Sequence, residues 1–212
     1  MKTAEKLRVA VAVSGAGRSL ENLLRASAAP ESTYTVNGVI ASRPDIRACD
    51  IARNNHLPLL VLPFTNSSLP ETENALYEWL NAQKIDLVAL AGFLKLFPVR
   101  DSWHNRVINI HPALLPKHGG KGMYGHRVHN AVVRAGDHQS GATIHFVNSR
   151  YDEGRIIAQV TVDIKPNQTV EEVAALVFAA ECQLFPRVLR ALAAGDLPLK
   201  NNEIYRCAYD PS

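Results

Sequence analysis

Apolar residues in this chain fall into short blocks separated by longer amphipathic stretches. Leu7–Val13 is almost continuously aliphatic, as expected of a strand covered on both faces. Ser14–Ser19 is a glycine-bearing turn, and a helix follows with Leu20, Leu23 and Leu24 on one face; Ser19 is its expected N-cap and Glu21 lies in its first turn. Strands are predicted at Val36–Ser42, Leu57–Leu62, Asp86–Ala91 and Val107–His111. Helices are predicted between them at Ile46–Asn55 and Pro70–Gln83, with a further one at Tyr124–Ala135. Pro63–Leu69 reads as a polar loop. Gly141–Asn148 and Ile156–Ile164 are the sixth and seventh strands, and the short Arg150–Gly154 turn between them predicts antiparallel pairing. Thr169 opens a long helix with Glu172 completing a capping box; Pro186 is expected to kink or restart it, and Gly195 to end it. Leu197–Ser212 reads as a tail along the surface.

Alternating strands and helices predict an α/β fold. The expected sheet is doubly wound, mostly parallel and seven-stranded, with an antiparallel C-terminal strand pair. At 212 residues and 47% hydrophobic, the chain suits a single domain, 1–212, with a core over about 7–199 and a tail at 200–212. The net charge of +3 is scattered rather than clustered, which gives no nucleic-acid footprint. Three distant cysteines without a Cys-x-x-Cys pair point to neither a disulfide framework nor a zinc site, and fit a reduced cytoplasm. Met1–Arg8 lacks the apolar core of a signal peptide, and no stretch has the length of a membrane span.

Candidate chemistry centres on Val107–Pro116. Asn109 and His111 interrupt its aliphatic run two residues apart, so both side chains leave the strand on one face. Pro112 ends the ladder, which places an amide and an imidazole at the carboxyl end of a core strand, where open α/β sheets bind ligands. The alternative is a satisfied buried Asn beside a His that braces a loop. Gly15-Ala-Gly-Arg-Ser19 forms either an anion cradle at a helix start or a tight turn needing glycine for geometry alone; Leu20 stands where a dinucleotide fingerprint needs its third glycine. Leu94–Phe97 is one wall of a pocket or ordinary core. Lys117–Met123, with three glycines and two lysines, is a substrate lid or a plain surface loop. Seven of the eight histidines lie between His104 and His145, yet neither a His-Glu-x-x-His pattern nor a thiolate accompanies them, and no metal is expected. An amide that stabilises an oxyanion, a histidine that moves a proton and Asp152 beside it are the parts of an acyl transfer without a covalent intermediate.

These motifs resemble the folate-dependent glycinamide ribonucleotide formyltransferases of purine biosynthesis, over about Val9–Leu199. The resemblance rests on Ser14-Gly-Ala-Gly, Leu90-Ala-Gly-Phe-Leu, Asn109-Ile-His-Pro-Ala-Leu-Leu-Pro, Gly141-Ala-Thr-Ile-His-Phe-Val and Tyr151-Asp-Glu-Gly-Arg-Ile-Ile. It implies the formyltransferase fold, 10-formyltetrahydrofolate as donor and the amine of 5-phosphoribosylglycinamide as acceptor. Asn109 would stabilise the oxyanion, His111 relay the proton, and Asp152 hold His111. Gly15, Ala16, Gly17, Arg18 and Ser19 would bind the phosphate, and Glu181, by default a solvated charge, the ribose hydroxyls. Leu94, Lys95, Leu96 and Phe97, with Asn148 and Tyr151, would enclose the pterin, and His145 would support that loop. The family usually has Ser or Thr followed by Asn where this chain has Arg18 and Ser19, so a charge would replace an amide. The loop around Lys121 is longer than in some members. The expected partners are small-molecule substrates, not nucleic acid or membrane, and the expected state is a monomer or homodimer. A formyltransferase acting on another amine, such as a sugar nucleotide, and a non-catalytic nucleotide-binding module are the competing readings.

Overall fold

The computed structural model describes residues 5–64, 70–198, 200 and 203–211. They form two compact units that meet in sequence at Ile108 and Asn109.

The first unit contains β1 (Leu7–Val13), α1 (Arg18–Ser27), β2 (Tyr34–Ala41), α2 (Arg47–Asn54), β3 (Leu59–Val61), α3 (Pro70–Ala82) and β4 (Leu87–Leu90). Its strand order is β3-β2-β1-β4, and β1 pairs in parallel with β2 and β4, as β2 does with β3. β1 lies between two neighbours, and Val9–Val13 are buried without interruption. Its unbroken aliphatic run follows from that double coverage.

α1 departs from expectation at its start. Gly17, with φ of 76°, is the N-cap, and Ser19 lies inside the first turn, where it makes no cap bond. A β-carbon on Gly17 would stand 2.8 Å from Ile51 Cδ1 and 3.0 Å from Ala48 Cβ. Packing against α2 and the left-handed backbone both require glycine there, so the helix starts two residues early.

β5 (Val107–His111) matches its predicted bounds and carries the boundary between the units. The second unit continues with α4 (His126–Arg134), β6 (Gln139–Phe146), β7 (Ile156–Asp163), α5 (Val170–Ala194) and β8 (Tyr205–Ala208), in the strand order β5-β6-β7-β8. β6 and β7 are antiparallel, as the short turn predicts. β8 is an eighth strand where seven are predicted, and it runs parallel to β7. Part of the expected surface tail therefore extends the sheet. Its four residues alternate between half-buried and exposed, too short and too polar a pattern to signal a strand.

α5 is one continuous 25-residue helix through Pro186, so the predicted restart does not occur. Val173, Val177, Ala180, Leu184, Val188 and Leu189 are buried along one stripe, and that packing outweighs the single backbone bond a proline removes. The capping box at Thr169 and Glu172 and the Gly195 stop are both present. Most of the expected polar loop, residues 65–69, lies outside the described residues, as does part of the predicted tail.

Candidate active site

In the second unit, Asn109 and His111 leave β5 on one face, and both reach Asp152. His111 Nδ1 is 3.4 Å from Asp152 Oδ2, and Asn109 Nδ2 is 3.4 Å from Asp152 Oδ1. Asp152 sits at a φ of 57° in the turn between β6 and β7, a left-handed conformation that aspartate tolerates better than most side chains. Gly120 N donates to Asp152 Oδ2 at 2.9 Å. His145, 2% exposed, donates Nδ1–H to the Phe146 carbonyl at 2.8 Å, which leaves Nε2 to accept from Asn109 Nδ2 at 3.1 Å. His145 therefore orients the amide as well as bordering the Asp152 turn, a role the sequence reading did not give it.

Burial disfavours ionisation of Asp152, but the His145 contact, the charge that His111 gains when protonated and the Gly120 N–H outweigh it and hold its pKa below the ordinary carboxylate value. His111 is 3% exposed; burial lowers its pKa, against the opposing pull of Asp152 and the His118 carbonyl. A neutral imidazole therefore rests beside an ionised carboxylate.

Two supports had no sequence signal. His111 Nε2 lies 2.9 Å from the His118 carbonyl, and His118 Nε2 lies 2.7 Å from Asp137 Oδ2. Lys117 Nζ holds the other Asp137 oxygen. Lys117–Met123 is thus neither a detached surface loop nor a free lid: its backbone braces both His111 and Asp152. These partners are separated by 7 to 32 residues in sequence, and no periodicity links such positions.

The first unit gathers the phosphate-turn and pterin candidates. Ser14 Oγ accepts from Leu94 N at 3.0 Å and from Ser42 Oγ at 2.9 Å, so it ties the Gly15–Ser19 turn to the Leu94–Phe97 segment. Arg47 donates to the Ala16 carbonyl at 3.1 Å and pairs with Glu21 through both carboxylate oxygens. Ala16 and Arg18 are exposed at the turn. Leu94 and Leu96 are 44% and 43% exposed, with Lys95 exposed between them. Phe97 is 1% exposed and packs against Phe64 and Phe93, so its ring belongs to the core. In the second unit, Asn148 Oδ1 accepts from Arg150 N at 2.9 Å and shapes the loop that presents Tyr151 and Asp152. Glu181 is half-buried on α5.

The sequence matches the formyl transferase family over residues 7–189, most of both units. The chain belongs to that family. Among relatives of this chain, the chloroplastic phosphoribosylglycinamide formyltransferase of Vigna unguiculata is 38% identical over 90% of this chain. This chain spans 62% of that relative's own length. The phosphoribosylglycinamide formyltransferase of Haemophilus influenzae is 32% identical over 93% of this chain and 92% of its own. In three dimensions the chain is similar to the crystal structure of phosphoribosylglycinamide formyltransferase from Anaplasma phagocytophilum. That match has a TM-score of 0.83 and 28% identity, and covers 97% of this chain and 100% of the other. The α/β architecture of the family, with antiparallel strands toward the C-terminus, is therefore shared.

A second buried histidine is expected to make the folded chain sensitive to acid. His129 on α4 is 6% exposed, and burial, then the His126 and His111 charges, push its pKa down to about 4. Between its unfolded value and about 4, the unfolded chain binds the proton that the folded chain refuses, so stability falls as pH drops through that window. A shift from 6.5 to about 4 corresponds to roughly 3 kcal/mol at its lower end. Urea titrations from pH 7 to pH 4 should show this loss, and His129→Gln should flatten it. An unchanged slope in the variant would assign the acid sensitivity elsewhere.

Proposed function

We propose that the chain transfers the formyl group of 10-formyltetrahydrofolate to the amine of 5-phosphoribosylglycinamide, a step of purine biosynthesis. The observation that carries the chemistry is the convergence of Asn109, His111 and His145 on Asp152, at the carboxyl end of β5. The substrates follow from the relatives: most of the chain aligns with phosphoribosylglycinamide formyltransferases at 32–38% identity.

The acceptor amine attacks the formyl carbon, and the carbonyl oxygen gains charge as a tetrahedral intermediate forms. Asn109 donates to that oxyanion. One of its N–H groups is held by His145, and its 3.4 Å contact to Asp152 is long for a hydrogen bond, so the second N–H can turn toward the charge. His111 uses Nδ1, because the His118 carbonyl accepts the Nε2–H. Nδ1 takes the proton that the attacking amine loses, and Asp152 stabilises the resulting imidazolium. The proton then goes to the folate nitrogen as its bond to the formyl carbon breaks, giving tetrahydrofolate and the formylated amine.

In this reading the Gly15–Ser19 turn and the N-terminus of α1 receive the phosphate, with Arg18 adding a charge where the family usually has an amide. Glu181 meets the ribose hydroxyls. On the first unit, Leu94, Lys95 and Leu96 face the pterin, with Phe97 behind them in the core; on the second unit, Asn148 and Tyr151 are the folate contacts. The formyl donor is a co-substrate, and no metal takes part. Residues 1–212 act as a single formyltransferase domain, consistent with a family match that spans both units. The enzyme works in the cytoplasm, as a monomer or homodimer, on small molecules without nucleic-acid or membrane partners. No helix among the described residues is long and apolar enough to cross a membrane.

Mixing the protein with 10-formyltetrahydrofolate and each acceptor, and following the deformylated folate by absorbance, tests the assignment. Turnover is expected with phosphoribosylglycinamide. Turnover with an amino sugar nucleotide alone, or release of formate without an acceptor, would reject it.

A further inference from the structure

The contacts around His111 reverse the arrangement expected of a carboxylate–histidine pair. A carboxylate beside a neutral imidazole normally accepts its N–H. Here the nitrogen facing a pure acceptor at hydrogen-bond distance is Nε2, 2.9 Å from the His118 carbonyl. A carbonyl cannot donate, so Nε2 carries the proton and the lone pair of Nδ1 faces Asp152 at 3.4 Å. That choice costs electrostatic energy in the resting state and is recovered when Nδ1 is protonated. The His118 carbonyl must therefore be held in place firmly.

The backbone at His118 is not relaxed. Its φ is 56°, a left-handed conformation that is unfavourable for a non-glycine residue and persists where neighbours enforce it. The enforcing contact is the His118 ring on Asp137 Oδ2 at 2.7 Å; both side chains are 13% exposed. Asp137 follows α4, at the turn into β6, where Lys117 engages its second oxygen. The lever is short: the same three-residue segment offers the His118 carbonyl to His111 and the Gly120 N–H to Asp152.

We infer that Asp137, acting through His118, is a positioning residue that fixes the Nε2–H tautomer of His111 and so keeps Nδ1 as the proton-accepting atom. The inference rests on the proposed role of His111. Asp137 contacts Lys117 and His118, lies outside the residues assigned to either substrate, and acts through one strained residue. Loss of the anchor lets the 118–120 segment relax, frees Nε2 from its acceptor and allows Nδ1–H to turn toward Asp152. His111 is then protonated at the wrong atom at the start of the cycle.

Nitrogen-15 NMR of the His111 ring, paired with steady-state kinetics, tests the inference. In the unmodified protein the neutral ring should show the Nε2–H tautomer. Asp137→Ala and His118→Ala should each give a tautomer mixture and lower kcat about tenfold or more, with KM for both substrates within about twofold. His118→Gln keeps a side-chain donor for Asp137 and should restore most of the tautomer signature and of kcat. A resting Nδ1–H tautomer, or Asp137→Ala with both the tautomer and kcat intact, would overturn the inference. The tautomer is read without substrate, so its failure is separate from any failure of the functional assignment, which the acceptor assay decides.

Discussion

His111→Gln should lower kcat by about a thousandfold while the protein stays folded. A positioned general acid–base contributes 10² to 10⁴ in rate, and glutamine keeps much of the side-chain volume and a donor for the His118 carbonyl without being able to take a proton. Asn109→Ala should cost about 10² to 10³, the usual range for one oxyanion donor. The two losses should not multiply in the double variant, because Asn109 and His111 share Asp152 as a neighbour and act in one step. Substrate KM should move little in each. The single-turnover rate for deformylation of 10-formyltetrahydrofolate is the measurement that decides. A His111→Gln enzyme within tenfold of the unmodified rate would remove His111 from the proton path. Because the His111 pKa is lowered by burial, kcat should rise with pH through a midpoint below the usual imidazole value and then level off. His111 must be neutral before it can accept the proton.

The largest loss of stability is expected from Gly154→Ala. A β-carbon there would fall 1.6 Å from the Phe146 carbonyl oxygen and 2.7 Å from its carbon. No rotamer relieves a clash with backbone, so the connection between β6 and β7 must open. The Phe146 carbonyl is also the acceptor for His145 Nδ1, and Phe146 N donates to the Arg155 carbonyl at 2.9 Å. Displacement therefore unseats His145, releases the Asn109 amide and moves Asp152, two residues away. Forced overpacking of this kind costs roughly 3 kcal/mol or more. For a domain of this size that is about 6 to 12 °C in Tm. Gly15→Ala is the matched control, since nothing lies within 4 Å of its added carbon. Its Tm should stay within about 2 °C. Equal Tm values for the two variants would show that the turn can absorb the side chain.

Much of the architecture was legible because burial imposes a period on the sequence. β1 and β5 match their predicted bounds, since each aliphatic run is opened by a cationic residue, Lys6 or Arg106, and closed by a turn residue, Ser14 or Pro112. The capping box at Thr169 and the Gly195 stop of α5 were readable because they are local backbone chemistry. Asn109 and His111 could be placed on one face because strand side chains alternate. The motifs around them were enough to anticipate the family.

Other features depend on partners remote in sequence. β8 forms because β7 offers an open edge, which four alternating residues do not announce. α5 runs through Pro186 because a buried stripe outweighs one missing bond. Gly17 takes the cap of α1 from Ser19 because Ala48 and Ile51 leave no room for a side chain. The nitrogen of His111 that bears its proton is set by the His118 carbonyl, and His118 by Asp137 across 19 residues. Sequence alone determined which groups the site contains and the local elements that carry them, because those follow from nearest-neighbour chemistry. Tertiary structure alone decided their protonation and orientation, because those depend on contacts that exist only once the chain has closed on itself.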